Sequence, residues 1–207
     1  MIIAIETSAE PASIALLHPD GSLSERSFPN QNQVNVPLAD ELALCLDELK
    51  GEVQTVLVGA GPGSYSGARV GLATAEALAL SFNCDLVTLP SVYGITHPTP
   101  YVLVGDARRG AYFSISPEAP TPQILEAEPF AAQIAECDHA LVTFEPVEKL
   151  PLSDEVKNSI SITTSSATQL IHYWQTLSTT AQSAWLQAPR EVVYLRPPNI
   201  TKAKSPF

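Results

Sequence analysis

A glycine-rich segment, "GAGPGSYSG", runs from Gly59 to Gly67 and is a candidate for phosphate chemistry. It follows an apolar run and precedes a helical pattern, and backbone N–H groups at such a turn can bind an anion. The segment has neither the three glycine offsets of a GxGxxG dinucleotide motif nor the Gly-Lys-Ser/Thr of a P-loop. Gly61 and Gly63 are therefore candidate phosphate contacts, and a sharp strand-to-helix turn is the alternative interpretation.

A second candidate group, Glu6, Thr7 and Ser8, directly follows the first apolar run. A carboxylate there can hold Mg²⁺ through water, and hydroxyls can donate to phosphate oxygens. A strand end followed by a hydroxyl-capped turn is the alternative. A kinase would also need a second phosphate loop, and "VGDARRG", with Asp106 and Gly110, lacks that spacing.

Other constellations are weaker. The four histidines are far apart in sequence, so we predict neither a metal site nor a Ser/His/Asp triad and assign no catalytic residue. Arg108 and Arg109 fall at the tip of a predicted hairpin. Two arginines can bind a phosphate or a carboxylate, and a solvated turn with a local salt bridge is the alternative.

Charge and cysteine content limit the functional class. The net charge is −11, and Met1–Pro90 carries eleven acids against three bases, a net of −8. Because nucleic-acid binding depends on Lys and Arg, strong direct binding of tRNA or DNA is not expected. The three cysteines form no CxxC, and no apolar run is long enough for a membrane span, so we expect a cytoplasmic protein that does not bind membranes.

The first half predicts a β-meander followed by alternating helices and strands. Ile2–Glu6, Ala12–His18 and Ser22–Phe28 are the meander strands, with "PDG" as a turn. A helix is predicted over Val34–Leu49, and its apolar stripe has helical spacing. Strands at Val53–Gly59 and Asp85–Pro90 flank the glycine-rich turn and its helix.

The helix after the glycine-rich turn is almost uncharged. Between Tyr65 and Phe82 only Arg69 and Glu76 carry charge. Small residues recur every fourth position, at Gly67, Gly71, Ala75 and Ala79, a ridge that allows another helix to approach closely. A helix that is apolar on all sides is normally buried on all sides, so this one is either internal core or in part a partner surface.

The second half repeats this element order in part. Strands are predicted at Tyr101–Arg108, Ala111–Ser116 and Thr121–Glu128, then a helix over 129–137 and a strand at His139–Glu145. Residues 146–159 are expected to be irregular, 159–164 a strand, 165–186 one helix and 191–198 an extended segment. Pro98 and Pro100 mark a boundary, so we predict two α/β domains, 1–97 and a smaller 98–207, with the terminal segment a candidate to pack back on the first.

Four sequence blocks carry a family resemblance. "IAIETSAEPASIALL", "VGAGPGSYSGARVGLATAEALAL", "GDARRGAYF" and "VVYLR" occur in the order and spacing of the TsaB (YeaZ) family, which the chain resembles over nearly its whole length. The resemblance implies an α/β fold of the actin-like, sugar-kinase-like (ASKHA) type, with two domains of mixed sheet and helices.

The resemblance also implies a function. Family members are non-catalytic subunits that act with the catalytic subunit TsaD and the ATPase TsaE. Together these proteins transfer threonylcarbamoyl to the adenosine beside the anticodon of tRNAs that read ANN codons. We expect no cofactor for the chain alone, with ATP and Mg²⁺ at the level of the complex, and the negative charge implies tRNA contact only through the complex. An open apolar helix face favours a homodimer when the partner is absent. The alternative is a stand-alone nucleotide-binding or phosphotransfer protein of the same fold.

By the same resemblance, the partner interface would lie on the two helices of the first half. The implied interface residues are Val34, Leu38, Leu42, Cys45, Gly67, Val70, Gly71, Thr74, Ala75 and Leu78. The chain departs from the family pattern in "NQVNVPLADEL", which lacks a histidine, in Glu6 where aspartate is more frequent, and in a thin stretch between Ser114 and Pro129.

Overall fold

The structure, a computed structural model, describes residues 1–30 and 35–195. Its first half contains a five-stranded mixed sheet of order β3-β2-β1-β4-β5. The strands are β1 (Ile2–Glu6), β2 (Ala12–Leu17), β3 (Leu23–Phe28), β4 (Thr55–Gly59) and β5 (Asp85–Leu89). Strands β1 to β3 pair antiparallel, as predicted for a meander, and β4 and β5 continue parallel to β1.

Two helices pack on one face of this sheet. Helix α1 spans Asn35–Asp47 and helix α2 spans Tyr65–Phe82. Ser64 caps α2 through a hydrogen bond that its hydroxyl accepts from the Gly67 N–H, and Asn83 ends the helix in the left-handed conformation. Both helices were predicted, and the range predicted for α1, Val34–Leu49, is slightly wider than the observed one.

The second half contains a sheet of order β10-β9-β6-β7-β8. Its strands are β6 (Tyr101–Asp106), β7 (Ala111–Ile115), β8 (Gln123–Glu126), β9 (Ala140–Thr143) and β10 (Ser161–Ile162). Helix α3 (Ala127–Ala135) lies between β8 and β9, and helix α4 (Asp154–Ser159) between β9 and β10.

The two sheets share one topology. In each, three antiparallel strands are followed by two strands parallel to the first, and a helix precedes each parallel strand. The predicted repeat of the β-meander is therefore confirmed. The domain boundary at 97/98 stays a prediction.

Two further helices from the second half of the chain cover the other face of the first sheet. Helix α5 (Ala167–Thr176) buries Leu170, Ile171 and Trp174 in a cluster with residues of β1, β2, β4 and β5. Helix α6 (Thr179–Leu186) also contacts β5. The terminal part of the chain thus packs on the first sheet, which has helices on both faces.

Two element predictions were wrong, and a third gave a strand that is longer than the observed one. The single helix predicted over 165–186 is two helices, because Leu177 is extended (ψ 141°) and Ser178 caps α6 through the Ala181 N–H. The stretch 146–159 contains α4 and a 3₁₀ turn, Val147–Lys149. The strand predicted over 159–164 has only two residues, since α4 extends to Ser159.

Among the helices of the described ranges, none is long and apolar enough to span a membrane.

Candidate functional site

A buried carboxylate links the end of β1 to the rest of the molecule. Glu6 has no exposed surface, and one oxygen, Oε1, accepts hydrogen bonds from the backbone N–H and the hydroxyl of Ser8, both at 2.7 Å. The other, Oε2, accepts a 2.7 Å hydrogen bond from the Ser165 hydroxyl, just before α5. The Glu6 carboxylate, predicted to contact Mg²⁺ or phosphate, therefore already accepts three hydrogen bonds from two serines of the chain.

The same network reaches the glycine-rich turn. The Ser8 and Ser91 hydroxyl oxygens are 2.7 Å apart, and the Gly61 N–H donates to the Ser91 hydroxyl at 2.9 Å. Because the Ser8 hydroxyl donates to Glu6, the Ser91 hydroxyl must be the donor to Ser8. A chain of hydrogen bonds thus runs from Gly61 through two serines to Glu6 and fixes the turn.

The small residues on α2 face the chain's own sheet. A Cβ atom added at Gly67 would lie 1.9 Å from the Thr7 carbonyl oxygen, and one added at Gly71 would lie 2.2 Å from Thr7 Oγ1. Ala75 has no exposed surface. This corrects the expectation that the ridge accommodates another helix: its glycines are needed where α2 meets the end of β1.

Most of the ten residues named for the partner interface are not accessible in this structure. Leu38, Cys45, Gly67, Gly71, Ala75 and Leu78 are buried within the chain, and Leu42, Val70 and Thr74 are partly exposed. Val34 lies outside the described residues. That the two helices bind a partner, and through which residues, stays a prediction; in this structure six of the ten residues are buried within the chain.

The outward stripe of α2 is formed by other side chains. Ala73, Ala77 and Leu80 are exposed on it, beside Arg69 and Glu76, which are also exposed, and Leu80 is 85% exposed. On α1, Leu44 is 46% exposed beside Ala43. Because α1 and α2 lie on the same face of the first sheet, they present an outer surface of small and apolar side chains, here called the outer helical surface.

Helix α1 is attached to the sheet by an ion-pair cluster and by its buried stripe. The Arg26 guanidinium on β3 contacts Glu48 and lies 3.5 Å from Glu41. The hydrogen bond from Arg26 lowers the pKa of the Glu48 carboxyl below its ordinary value. On the stripe, burial raises the pKa of the Cys45 thiol to about 11.

A cleft of about 840 Å³ separates the two halves where the glycine-rich turn faces the β6–β7 hairpin. Ser8, Gly61 and Gly63, three of the predicted phosphate contacts, line it, whereas Glu6 and Thr7 do not. Gly61 has φ +87°, so this turn requires the left-handed conformation that glycine adopts readily.

The hairpin that carries Arg108 and Arg109 forms the opposite wall of the cleft. Arg108 makes a salt bridge of 3.2 Å with Asp106, as the solvated-turn interpretation expected. Arg109 has no ion pair among the described residues. No group of three or more His, Cys, Asp or Glu side chains in the described part of the chain is arranged to hold a metal ion.

Sequence reasoning missed Ser165 as a partner of Glu6 and Ser91 as a partner of Ser8. Ser91 begins a 3₁₀ turn, Ser91–Gly94, and Ser165 lies just before the N-cap of α5, so a helix start is the local explanation for each serine. Their contacts span 83 and 159 positions, and such separations give no local signal.

Comparison with family models and curated proteins gives three matches to parts of the chain. Residues 31–119 match the family described as TsaD, tRNA N6-adenosine threonylcarbamoyltransferase. The Haemophilus influenzae tRNA threonylcarbamoyladenosine biosynthesis protein TsaB is 32% identical over 91 residues, which are 43% of this chain and 38% of that protein. An uncharacterized Mycobacterium leprae protein is 42% identical over 88 residues, 41% of this chain and 22% of its own length. These matches span less than half of the length of either curated relative.

Solved structures match over nearly the whole chain. A crystal structure of an uncharacterized protein with similarity to peptidase YeaZ from Pseudomonas aeruginosa superposes with a TM-score of 0.64 at 18% identity, covering 94% of this chain and 99% of that one. YeaZ from Pseudomonas aeruginosa superposes with a TM-score of 0.61 at 15% identity, covering 87% of this chain and 94% of that one. At these identities the likeness shows the fold, so the predicted actin-like, ASKHA-type fold is confirmed. With the matches in sequence, the resemblance of this chain to the TsaB (YeaZ) family is confirmed.

Proposed function

We propose that this chain is a non-catalytic subunit of the cytoplasmic machinery that makes threonylcarbamoyladenosine in tRNA. Its partners would be a TsaD-type transferase and a TsaE-type ATPase, with tRNA contacted only through the complex. The match to the Haemophilus TsaB protein supports a role in threonylcarbamoyladenosine biosynthesis. In this proposal the chain holds the transferase in an active arrangement, and ATP and Mg²⁺ act at the level of the complex.

The observation that carries the proposal is the exposure of apolar side chains on the outer helical surface. Leu80 is 85% exposed, with Ala73 and Ala77 on the same stripe of α2. Burial of such a surface against a partner is favourable because it removes apolar area from water. When the partner is absent, a second copy of the chain would cover the same surface as a homodimer.

The charge of the chain fits this role. A protein of net charge −11 repels a phosphate backbone, so direct binding of tRNA by this chain is disfavoured. Near the outer helical surface the acids Asp40, Asp47 and Glu76 outweigh the positive charge of Arg69, and the net negative charge would instead favour a partner with a basic rim.

The alternative, a phosphotransfer enzyme, has less support. Such an enzyme needs a carboxylate free to hold Mg²⁺, and Glu6 is fully buried and accepts three hydrogen bonds from Ser8 and Ser165. Thr7 is also engaged, since its hydroxyl donates to the Gly67 carbonyl at 2.8 Å.

Reconstitution tests the proposed function. Purified TsaD-type and TsaE-type proteins of the same organism, tRNA, threonine, bicarbonate, ATP and the enzyme that makes threonylcarbamoyl-AMP are combined with or without this chain. We expect modified adenosine, measured by mass spectrometry of digested tRNA, to form only when the chain is present. Equal modification without the chain would contradict the proposal, and modification by the chain without the TsaD-type protein would show that it is itself the enzyme.

A further inference from the structure

The chain segment that follows α6 is attached to the first half of the molecule. The Thr88 hydroxyl on β5, an edge strand of the first sheet, donates a 3.1 Å hydrogen bond to the Pro189 carbonyl oxygen. Farther along, the Val193 N–H donates a 2.8 Å hydrogen bond to the carbonyl oxygen of Ala60, just after β4. Residues 189–195, here called the terminal strap, are therefore held to the first half at two points.

The end of the terminal strap reaches the second half of the molecule. Leu195 packs against a buried apolar cluster that includes Leu103 of β6 and Val142 of β9. Beside it, the Tyr194 ring lies against α2, with its centroid 5.8 Å from that of Tyr65. The last four residues of the strap also line the cleft between the two halves. The strap thus passes along the cleft and contacts the loop after β4, α2 and the core of the second half.

Two further chain segments connect the halves, one between β5 and β6 and the other between β10 and α5. These segments contact each other, because Ile95 of the first pairs with Ser165 of the second in an antiparallel bridge. Next to this bridge, the Ser166 N–H donates a 2.8 Å hydrogen bond to the Gly94 carbonyl oxygen. The Ser165 hydroxyl in turn donates to the buried carboxylate of Glu6 at the end of β1. The two connections therefore form one hydrogen-bonded unit that is anchored to the first sheet.

This arrangement restricts rotation of one half against the other. Two domains on either side of a cleft ordinarily move by rotation about the segments that connect them. In this chain those segments are bonded to each other, and the terminal strap adds a third link. Opening the cleft would require either that Val193 releases Ala60 or that Leu195 leaves its apolar cluster. The first step breaks a hydrogen bond and the second exposes apolar surface to water, so both are unfavourable.

From these contacts we propose that the terminal strap holds the two halves of the chain in one arrangement. The chain then behaves as a rigid body, without the hinge closure that a cleft between two domains commonly permits. Because Tyr194 contacts Tyr65 at the first residue of α2, the strap also fixes the orientation of α2 relative to the second half. This property belongs to the isolated chain and goes beyond the proposed function, so either can fail while the other holds.

Distance measurement across the cleft by pulsed electron paramagnetic resonance tests the proposal. Spin labels are attached to the full chain at Ser66→Cys on α2 and Glu148→Cys in the second half, both at exposed positions. Cys84→Ser and Cys137→Ser remove the partly exposed native thiols, and the buried Cys45 is kept. An excess of unlabelled chain removes distances between copies. For this labelled reference chain we expect one narrow distance distribution.

Two substitutions in the strap should release the halves. Leu195→Ser removes the apolar contact with the second half, and we expect the distance distribution to become at least about twofold broader as further arrangements are populated. Val193→Pro removes the N–H that donates to Ala60 and should broaden the distribution in the same way. The matched control is Leu23→Ser, at a leucine on β3 that does not line the cleft, and its distribution should stay narrow.

Two results would overturn the proposal. One is a broad distribution in the labelled reference chain, which would show that the halves move freely. The other is a distribution in the strap variants as narrow as that of the reference chain, which would show that the strap is not what holds them. Circular dichroism of each labelled chain distinguishes movement of folded halves from unfolding. If Leu195→Ser does not fold, Val193→Pro provides the same comparison.

Discussion

The Thr7 hydroxyl donates a 2.8 Å hydrogen bond to the carbonyl oxygen of Gly67, which joins the end of β1 to the first turn of α2. The contact requires a residue without a side chain, since a Cβ at Gly67 would lie 1.9 Å from the Thr7 carbonyl oxygen. The position of α2 on the sheet, and with it the outer helical surface, therefore depends on this pair.

Gly67→Ala should destabilise the chain by about 1–3 kcal/mol, although alanine is the better helix former by about 1 kcal/mol. The added methyl group forces a backbone shift at Thr7. The free energy of unfolding in urea measures the effect. The control is Ala77→Gly on the exposed side of α2, where only helix propensity changes and a loss of about 1 kcal/mol is expected. A Gly67→Ala chain as stable as the unmodified one would show that α2 does not pack this closely on β1.

Glu6 acts as a hydrogen-bond acceptor, so its two oxygens should contribute more to the stability of the fold than its negative charge does. Glu6→Ala removes the acceptor of three hydrogen bonds in a fully buried site, and we expect a loss of at least about 3 kcal/mol. Glu6→Gln should cost much less. Its amide oxygen can accept from Ser8, and its NH₂ group can donate to the Ser165 hydroxyl.

Chemical denaturation of both Glu6 variants at pH 7 measures this difference. Glu10→Ala, at an exposed position, is the control and should change stability by about 1 kcal/mol or less. If Glu6→Gln were as unstable as Glu6→Ala, the negative charge itself would be required, which this network does not explain.

The thiol of Cys45 should report whether α1 stays attached. Cys45 is 2% exposed and its pKa is raised to about 11 by burial, so at pH 8 only about one thiol in a thousand is ionised. We expect iodoacetamide to label Cys45 at least about tenfold more slowly than Cys137, which is partly exposed. In urea all three cysteines should react alike. Fast labelling of native Cys45, followed by mass spectrometry, would indicate that α1 detaches readily.

The ion pair of Arg26 and Glu48 should weaken in acid. Because Arg26 lowers the pKa of Glu48 in the folded chain, the stabilisation is present above the ordinary glutamate pKa and is lost as the pH falls through the folded value. The unmodified chain should therefore lose more stability than Arg26→Ala between pH 6 and pH 3. Urea midpoints across this range measure the difference, and parallel curves would show that the pair contributes nothing.

Local patterns were sufficient to predict much of the fold. The apolar runs of β1 and β4, the turn between β2 and β3 and the stripe of α1 are features of neighbouring residues, and all appear in the structure. The repeated β-meander could also be predicted from these local patterns. The two sheets share one topology, and each begins with this meander.

The candidate site could be predicted only in part, because it is formed by contacts distant in sequence. The glycines on α2 were recognised as a ridge, but periodicity does not tell whether a ridge meets a helix or, as here, the backbone at Thr7. Likewise, Ser165 meets Glu6 across 159 positions, and no spacing rule connects them. The break before α6 did have a local signal, since Ser178 is a good N-cap.

Light scattering of the chain mixed with its TsaD-type partner tests whether the outer helical surface binds the transferase subunit. We expect a heterodimer whose affinity falls at least about thirtyfold in Leu80→Glu, because a charge would enter an apolar interface. Ile162→Glu is the matched control, since Ile162 is 67% exposed on the second sheet, and it should bind as the unmodified chain does. Equal binding by Leu80→Glu, or no complex with the unmodified chain, would contradict a role for this surface in binding the transferase.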